Sequence, residues 1–190
     1  CKTIGVTPSV VVGYSFGAYI AVQYTVDSGS NAKLVLVCPV VHIRWQVRLY
    51  GHGFRLMSLR HLSFVEKLYR MQYDMTTAYL RRNKHPLIKK GLYKRRRNEL
   101  QYLRSDVVLE LFTRFLKFNF TDYAPKIKNR TVIITAARDN LASNNATQRF
   151  AAGIAGDRLV YIDIKKAGHL LPIEEPYLLA LTTTSYIDEG

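Results

Sequence analysis

Cysteine is scarce in this chain of 190 residues, which contains only Cys1 and Cys38. Two cysteines do not provide the disulfide framework that stabilises small secreted scaffolds. Cys38 ends the apolar run at residues 34–37, so we interpret it as a reduced residue of the core. No spacing of cysteine and histidine is typical of a zinc site. The sequence therefore indicates neither a disulfide scaffold nor a zinc-binding module.

Long apolar runs and glycine-rich phosphate loops are also absent. No segment approaches the ~18–20 consecutive apolar residues that a membrane span requires. The chain contains 48% hydrophobic residues and is long enough to bury one core of ordinary size. These features predict a globular domain rather than a membrane-spanning or nucleotide-binding one.

Acidic residues are few, with 14 Asp and Glu against 28 Lys and Arg, and the net charge is +14. The excess is unevenly placed. Residues 42–130 contain 21 basic and 6 acidic residues, a net charge of +15, whereas the remainder has a net charge of −1. The middle of the chain thus carries all of the positive excess.

The pentapeptide Gly-Tyr-Ser-Phe-Gly at residues 13–17 directly follows the valine run at residues 10–12. A Gly-x-Ser-x-Gly motif at the end of a buried strand presents a serine nucleophile, here Ser15, on a sharp strand-to-helix turn. We expect Gly13 and Gly17 to allow this tight turn and the close approach of helix and strand, where a β-carbon would collide.

Two further polar residues follow predicted strands later in the chain. Residues 131–134 are apolar or β-branched and favour a buried strand, after which comes Asp139. Residues 157–164 are a second strand candidate, and His169 follows it. Loops after parallel strands gather at the carboxyl edge of a sheet, so Ser15, Asp139 and His169 are expected to meet there. Serine, then acid, then histidine is the chain order of the α/β-hydrolases.

On these residues the chain resembles the α/β-hydrolase superfamily, in particular its lid-bearing esterases, lipases, peptidases and carbon–carbon hydrolases. The resemblance covers residues 9–41 and 129–187. It implies an α/β fold, a mostly parallel sheet flanked by helices, and hydrolysis of an ester, thioester or amide in a small acyl substrate. Ser15 would be the nucleophile, His169 the general base and Asp139 its orienting acid, with the Phe16 N–H as an oxyanion donor. No metal or organic cofactor is implied.

The family pattern also includes parts that this sequence does not show. The nucleophile strand is the fifth of eight in that pattern, and here it is the first. The loop that supplies a second oxyanion N–H is likewise missing. We therefore expect the strand before Ser15 to present a bare edge, covered by a missing N-terminal segment or a second chain.

The α/β-hydrolase family inserts its lid between the strand that ends near Cys38 here and the strand before Asp139. The basic middle segment of this chain lies in that place. We therefore predict a core of residues 1–41 and 124–190 and a helical, basic lid at residues 42–123. Ser105 and Asp106 are typical of a helix start. Several large apolar residues are candidates for lining an acyl pocket or packing the lid: Trp45, Phe54, Leu56 and Met57.

The most basic part of this insertion, residues 81–97, contains nine Lys and Arg and no acidic residue. Arginines among tyrosines suit nucleic acid or a ribonucleoprotein. They also suit an anionic membrane surface, and a solvated helix face without a partner is a third interpretation. The predicted contacts are Arg81, Arg82, Lys94, Arg95, Arg96 and Arg97.

Two functions remain open from the sequence. The chain is either a serine hydrolase or a catalytically retired hydrolase fold that binds a polyanionic partner through its basic insertion. The presence of Ser15, Asp139 and His169 favours the enzyme, and the missing first half of the pattern favours the binding module.

Overall fold

A computed structural model describes residues 5–42, 71, 74, 78, 104–154 and 159–188, with only the backbone at residues 105, 108, 109, 112 and 116. The chain divides into two compact units, Cys1–Ile43 with Phe118–Gly190, and Arg44–Lys117. Several predicted residues lie outside the described ones: the pocket candidates Trp45, Phe54, Leu56 and Met57 and the basic residues Arg81, Arg82, Lys94, Arg95, Arg96 and Arg97.

The first unit contains a four-stranded sheet in which the described strands are β1 (Val10–Tyr14), β2 (Lys33–Val37), β3 (Thr131–Ala136) and β4 (Leu159–Ile164). They are ordered β1-β2-β3-β4, and each neighbouring pair is parallel. Residues in β2 and β3 are almost all buried, as expected for strands covered on both faces. The predicted α/β class with a mostly parallel sheet is confirmed.

Helices flank and connect these strands. The chain enters α1 directly from β1, and α1 ends at Gly29 in the left-handed conformation (φ 64°). Among the described residues, no helix combines the length and apolar character needed to cross a membrane. The first unit contains α1 (Phe16–Ser28), α3 (Phe120–Tyr123), a 3₁₀ turn (Ala124–Lys126), α4 (Asn144–Ala152), α5 (Leu171–Glu174) and α6 (Pro176–Asp188), and the second unit contains α2 (Ser105–Lys117).

Two groups of side chains form the core of the first unit. Aromatic rings make one of them, in which Phe118 lies edge-on to Tyr19 and Phe120, with centroids 4.4 and 4.9 Å apart. The other group packs the loop after β4 and the last two helices against the sheet. Its buried members are Val35, Val37, Cys38, Val132, Ile134, Ala136, Ile164, Ala167, Leu171 and Tyr186. This second group fixes the ends of three strands next to the loops that follow them.

Strand β1 lies at one end of the sheet that the described residues form. Its Val12 is 57% exposed, although the strand is rich in valine. An edge of this kind offers backbone N–H and C=O groups to another strand. The prediction that a further segment or a second chain covers the edge stays a prediction.

Candidate active site

Ser15 is the single residue between the end of β1 and the start of α1. Its backbone has φ 52° and ψ −117°. A residue other than glycine in such a conformation typically costs about 1–3 kcal/mol, so the surrounding structure must hold it. The Ser15 N–H donates to the Val37 carbonyl (2.9 Å), and the Ser15 carbonyl accepts from the Ala18 N–H (3.1 Å). The turn is thus tied both to β2 and to the first turn of α1.

The two glycines of the pentapeptide have different roles. A β-carbon on Gly13 would lie 2.6 Å from the Gly17 carbonyl oxygen and 2.7 Å from Ala18 Cα, so the predicted close approach is present there. A β-carbon on Gly17 meets no atom within 4 Å in the described part of the chain. The steric expectation therefore fails for Gly17 among the described residues, because Ala18 and Ala21 form the face of α1 that meets Gly13.

Asp139 lies in the turn that follows β3. Its Oδ1 accepts hydrogen bonds from the N–H groups of Leu141 (2.9 Å) and Ala142 (2.8 Å), and its Oδ2 accepts from His169 Nδ1 (2.8 Å). The side chain is only 1% exposed. Burial acts to raise the pKa of this carboxyl, but the hydrogen bond from His169, the two from the backbone and the charge of His169 outweigh it and lower the pKa. Asp139 therefore stays ionised at a pH low enough for an ordinary aspartate to begin to take up a proton.

The loop after β4 carries His169 and is held from three sides. The Arg138 N–H donates to the Ala167 carbonyl (3.0 Å), and the Gly168 N–H donates to Glu174 Oε2 (2.6 Å). The Tyr14 hydroxyl donates to the His169 carbonyl (2.7 Å), with the two rings 5.7 Å apart. The imidazole is thus fixed by its own backbone as well as by Asp139.

Ser15, His169 and Asp139 form one continuous chain of hydrogen bonds. Ser15 Oγ lies 2.8 Å from His169 Nε2, and the opposite ring nitrogen faces Asp139. An Nδ1–H directed at the carboxylate leaves Nε2 to accept the serine proton. The structure thus brings together three side chains that are 154 and 30 residues apart in the sequence. Their catalytic roles are taken up below as a proposal.

Phe16 follows Ser15 as the first residue of α1. The backbone N–H groups of a helix's first turn point along its axis toward the N-terminal end, where the helix dipole is positive. The N–H that the resemblance assigned to the oxyanion is therefore on the side of the helix that faces Ser15. In the part of the chain that the structure describes, no three His, Cys, Asp or Glu residues are grouped so that they could hold a metal ion.

Two residues that support this site were not identified from the sequence as functional. The sequence pattern contains Tyr14 as a member of the pentapeptide and assigns it no role, and it assigns none to Glu174. Tyr14 has no local signal, because it acts on the loop that β4 supplies, whereas Glu174 acts on Gly168, only six residues before it. The position of Tyr14 directly before Ser15 is the one indication that the sequence offers.

Solved structures with this fold come from several bacteria. A hydrolase from Pseudomonas aeruginosa has a TM-score of 0.75 and 16% identity, covering 98% of this chain and 67% of that one. An enol-lactonase from Burkholderia xenovorans has a TM-score of 0.74 and 16% identity, covering 98% and 68%. An esterase from Exiguobacterium antarcticum has a TM-score of 0.70 and 18% identity, covering 98% and 69%. The chain thus spans about two thirds of each of these proteins, and at such identities the likeness shows the fold.

The family comparison goes further, because it is made on the sequence itself. The sequence model of the alpha/beta hydrolase family matches residues 2–180, which is nearly the whole chain. No curated protein sequence matches the chain. The matched region includes both ends of the hydrogen-bonded site, from the pentapeptide to the loop after β4. The chain belongs to the alpha/beta hydrolase family.

Proposed function

We propose that the protein is a serine hydrolase that cleaves an ester, thioester or amide bond in a small acyl substrate. The observation that carries the proposal is the unbroken set of hydrogen bonds from Ser15 Oγ through the imidazole of His169 to the Asp139 carboxylate. A serine hydroxyl is a weak nucleophile until a neighbouring base takes its proton. The base here is already within hydrogen-bond distance and is itself oriented by a third group.

The proposed reaction proceeds in two halves. Ser15 Oγ attacks the carbonyl carbon while its proton passes to His169 Nε2, and the resulting tetrahedral intermediate expels the leaving group, which takes that proton. A water molecule then attacks the acyl-serine by the same route and frees the acid. Asp139 remains ionised throughout, holds the Nδ1–H tautomer and stabilises the imidazolium. Its lowered pKa suits this role.

The negative oxygen of the tetrahedral intermediate needs hydrogen-bond donors of its own. We assign the Phe16 N–H as one donor, since Phe16 begins α1 directly after Ser15. One such donor is typically worth about 2.7–4 kcal/mol in the transition state. The family pattern includes a loop with a second N–H donor, which this sequence does not show. Such a donor would raise the rate by a factor of about 10²–10³.

A fluorophosphonate probe tests the proposal directly, because it phosphonylates only a serine that a neighbouring base has activated. We expect the intact protein to be labelled on Ser15 and labelling to disappear in Ser15→Ala and to fall sharply in His169→Asn. Ser30→Ala is the matched control, since Ser30 lies before β2 at the opposite end of the sheet and should label normally. Absence of labelling in the intact protein, or equal labelling in Ser15→Ala, would overturn the proposal.

The basic insertion supports a second function, which does not depend on the first. We propose that residues 81–97 bind a polyanionic partner, on the observation that nine of these seventeen residues are Lys or Arg and none is acidic. A solvated protein face ordinarily mixes both signs of charge. Binding of this kind would serve a catalytically retired fold as well as an active one, so the two proposals are tested separately.

A further inference from the structure

The backbone on both sides of His169 is hydrogen-bonded to one residue, Glu174, which the proposed mechanism does not use. The Gly168 N–H donates to Glu174 Oε2 at 2.6 Å, and the Glu174 N–H donates to the Leu170 carbonyl at 2.9 Å. The first bond holds the chain just before His169, and the second holds it just after. Together the two bonds close a ring that contains the proposed general base.

Glu174 reaches this position because the chain turns into α5 directly after Leu170. The Ile173 N–H also donates to the Leu170 carbonyl, at 2.7 Å, and Leu171, the first residue of α5, is fully buried. This single helical turn brings a carboxylate back to a backbone N–H six residues earlier in the sequence. The buried Leu171 side chain fixes the ring to the core of the first unit.

The close approach of the Glu174 carboxylate depends on glycine at residue 168. A β-carbon on Gly168 would lie 3.2 Å from Glu174 Oε1 and 3.5 Å from the Arg138 carbonyl oxygen. The first distance is tighter than ordinary van der Waals contact, so the carboxylate would have to move by a few tenths of an ångström. The glycine before His169 and the glutamate that ends α5 therefore belong to one contact.

The contact is of a strong kind, because a carboxylate that accepts from a backbone N–H forms a charge-assisted hydrogen bond, roughly twice as strong as a neutral one. The carboxylate holds the backbone of the loop, so its effect on the reaction passes through the position of His169. The imidazole makes its hydrogen bonds with Ser15 and Asp139 at 2.8 Å each. A small rotation of the loop backbone would lengthen at least one of them.

We propose that Glu174 is a positioning residue of the reaction, which holds the imidazole of His169 within hydrogen-bond distance of both Ser15 Oγ and Asp139. The inference rests on the proposed function of these three residues. A general base must lie within hydrogen-bond reach of the proton that it takes. Loss of the Glu174 carboxylate should therefore slow proton transfer and leave substrate binding unchanged.

The kinetic test separates the hydrogen bond from the charge and size of the side chain. In Glu174→Ala we expect kcat for a small ester to fall by about tenfold with little change in KM, the scale of one hydrogen bond to a charged group. Glu174→Met keeps the length of the side chain but has no oxygen acceptor, so it should lose the same factor. Glu174→Gln keeps an oxygen that accepts from Gly168 and should recover most of the rate.

Glu175→Ala is the matched control, because it removes a negative charge from the next residue without touching the bond to Gly168. We expect it to have the kcat of the wild type. Urea unfolding of each variant establishes that it is folded at the assay temperature. Equal kcat for Glu174→Met and Glu174→Gln, or an effect on KM alone, would overturn the proposal.

A second measurement does not require activity and so separates this inference from the proposed function. Nitrogen NMR of protein with isotope-labelled histidine reports which ring nitrogen carries the proton, and His169→Asn identifies the signals of His169. At a pH where the ring is neutral, we expect the Nδ1–H tautomer in the wild type, in Glu174→Gln and in Glu175→Ala, and a mixture of tautomers in Glu174→Ala and Glu174→Met. Signals that neither of the last two variants changes would show that Glu174 does not hold the ring, whether or not Ser15 is labelled.

Discussion

The two parts of this chain that carry the proposed functions differ in almost every property. The candidate active site is built from buried side chains and backbone turns at the edge of a parallel sheet, and the residues outside 42–130 have a net charge of −1. The segment at residues 42–130 has a net charge of +15. The candidate active site depends on distances between single side chains that must match the length of a hydrogen bond. The segment at residues 42–130 depends on the density of its positive charge. Single substitutions should therefore abolish the proposed catalysis, whereas only several substitutions together should abolish the proposed polyanion binding.

The largest expected effect is at the acid of the candidate site. Asp139→Asn keeps the size of the side chain but turns an amide toward His169, which stabilises the wrong tautomer and cannot balance the imidazolium. We expect kcat for a small ester to fall by about 10⁴. Binding to a polyanion should stay within experimental error of the wild type. A loss of less than tenfold would contradict the role given to Asp139.

The second prediction addresses the basic segment. Replacing Lys94, Arg95, Arg96 and Arg97 together with Glu should weaken binding to single-stranded RNA or to anionic vesicles. For RNA, the slope of log K against log salt should become shallower by about 3, at about 0.7 for each phosphate no longer neutralised. Hydrolysis of a small ester should be unchanged. Reversing four basic residues outside this run to Glu, at Lys126, Arg149, Lys165 and Lys166, is the control because it lowers the net charge by the same amount. Unaltered binding by the variant of residues 94–97 would exclude this run as the contact.

The third prediction separates the two glycines of the pentapeptide. Gly13→Ala forces a β-carbon against the backbone of α1, and overpacking of this kind typically lowers the free energy of unfolding by about 1–3 kcal/mol. Gly17→Ala places a β-carbon in α1 with no described atom within 4 Å, and alanine in a helix is more favourable than glycine by roughly 0.5–1 kcal/mol. Urea unfolding of both variants measures the difference. Equal stability of the two would show that the helix does not approach the strand as closely as the structure has it.

The sequence predicted the parts of the site that depend on order and pattern. Each described strand coincides with an apolar or β-branched run of the sequence, and the loops after three of the strands carry Ser15, Asp139 and His169 in the predicted order. The sequence did not predict contacts between loops that follow different strands, because hydrophobic periodicity carries no information about them. Three features depend on the register between elements: the left-handed backbone of Cys38 (φ 43°), the bond from Tyr14 to the His169 carbonyl, and the lack of any described atom close to a β-carbon at Gly17.

The smallest expected effect tests one of these unpredicted contacts. Tyr14→Phe keeps the ring that lies 5.7 Å from the imidazole and removes only the hydroxyl that donates to the His169 carbonyl. One neutral hydrogen bond contributes about 1 kcal/mol, so the rate of fluorophosphonate labelling should fall by about fivefold. Tyr177→Phe is the control, because Tyr177 is 87% exposed and should change nothing. Since the basic segment takes no part in this contact, polyanion binding should be the same in both variants. A labelling rate equal to that of the wild type would mean that the Tyr14 hydroxyl does not help to position the imidazole.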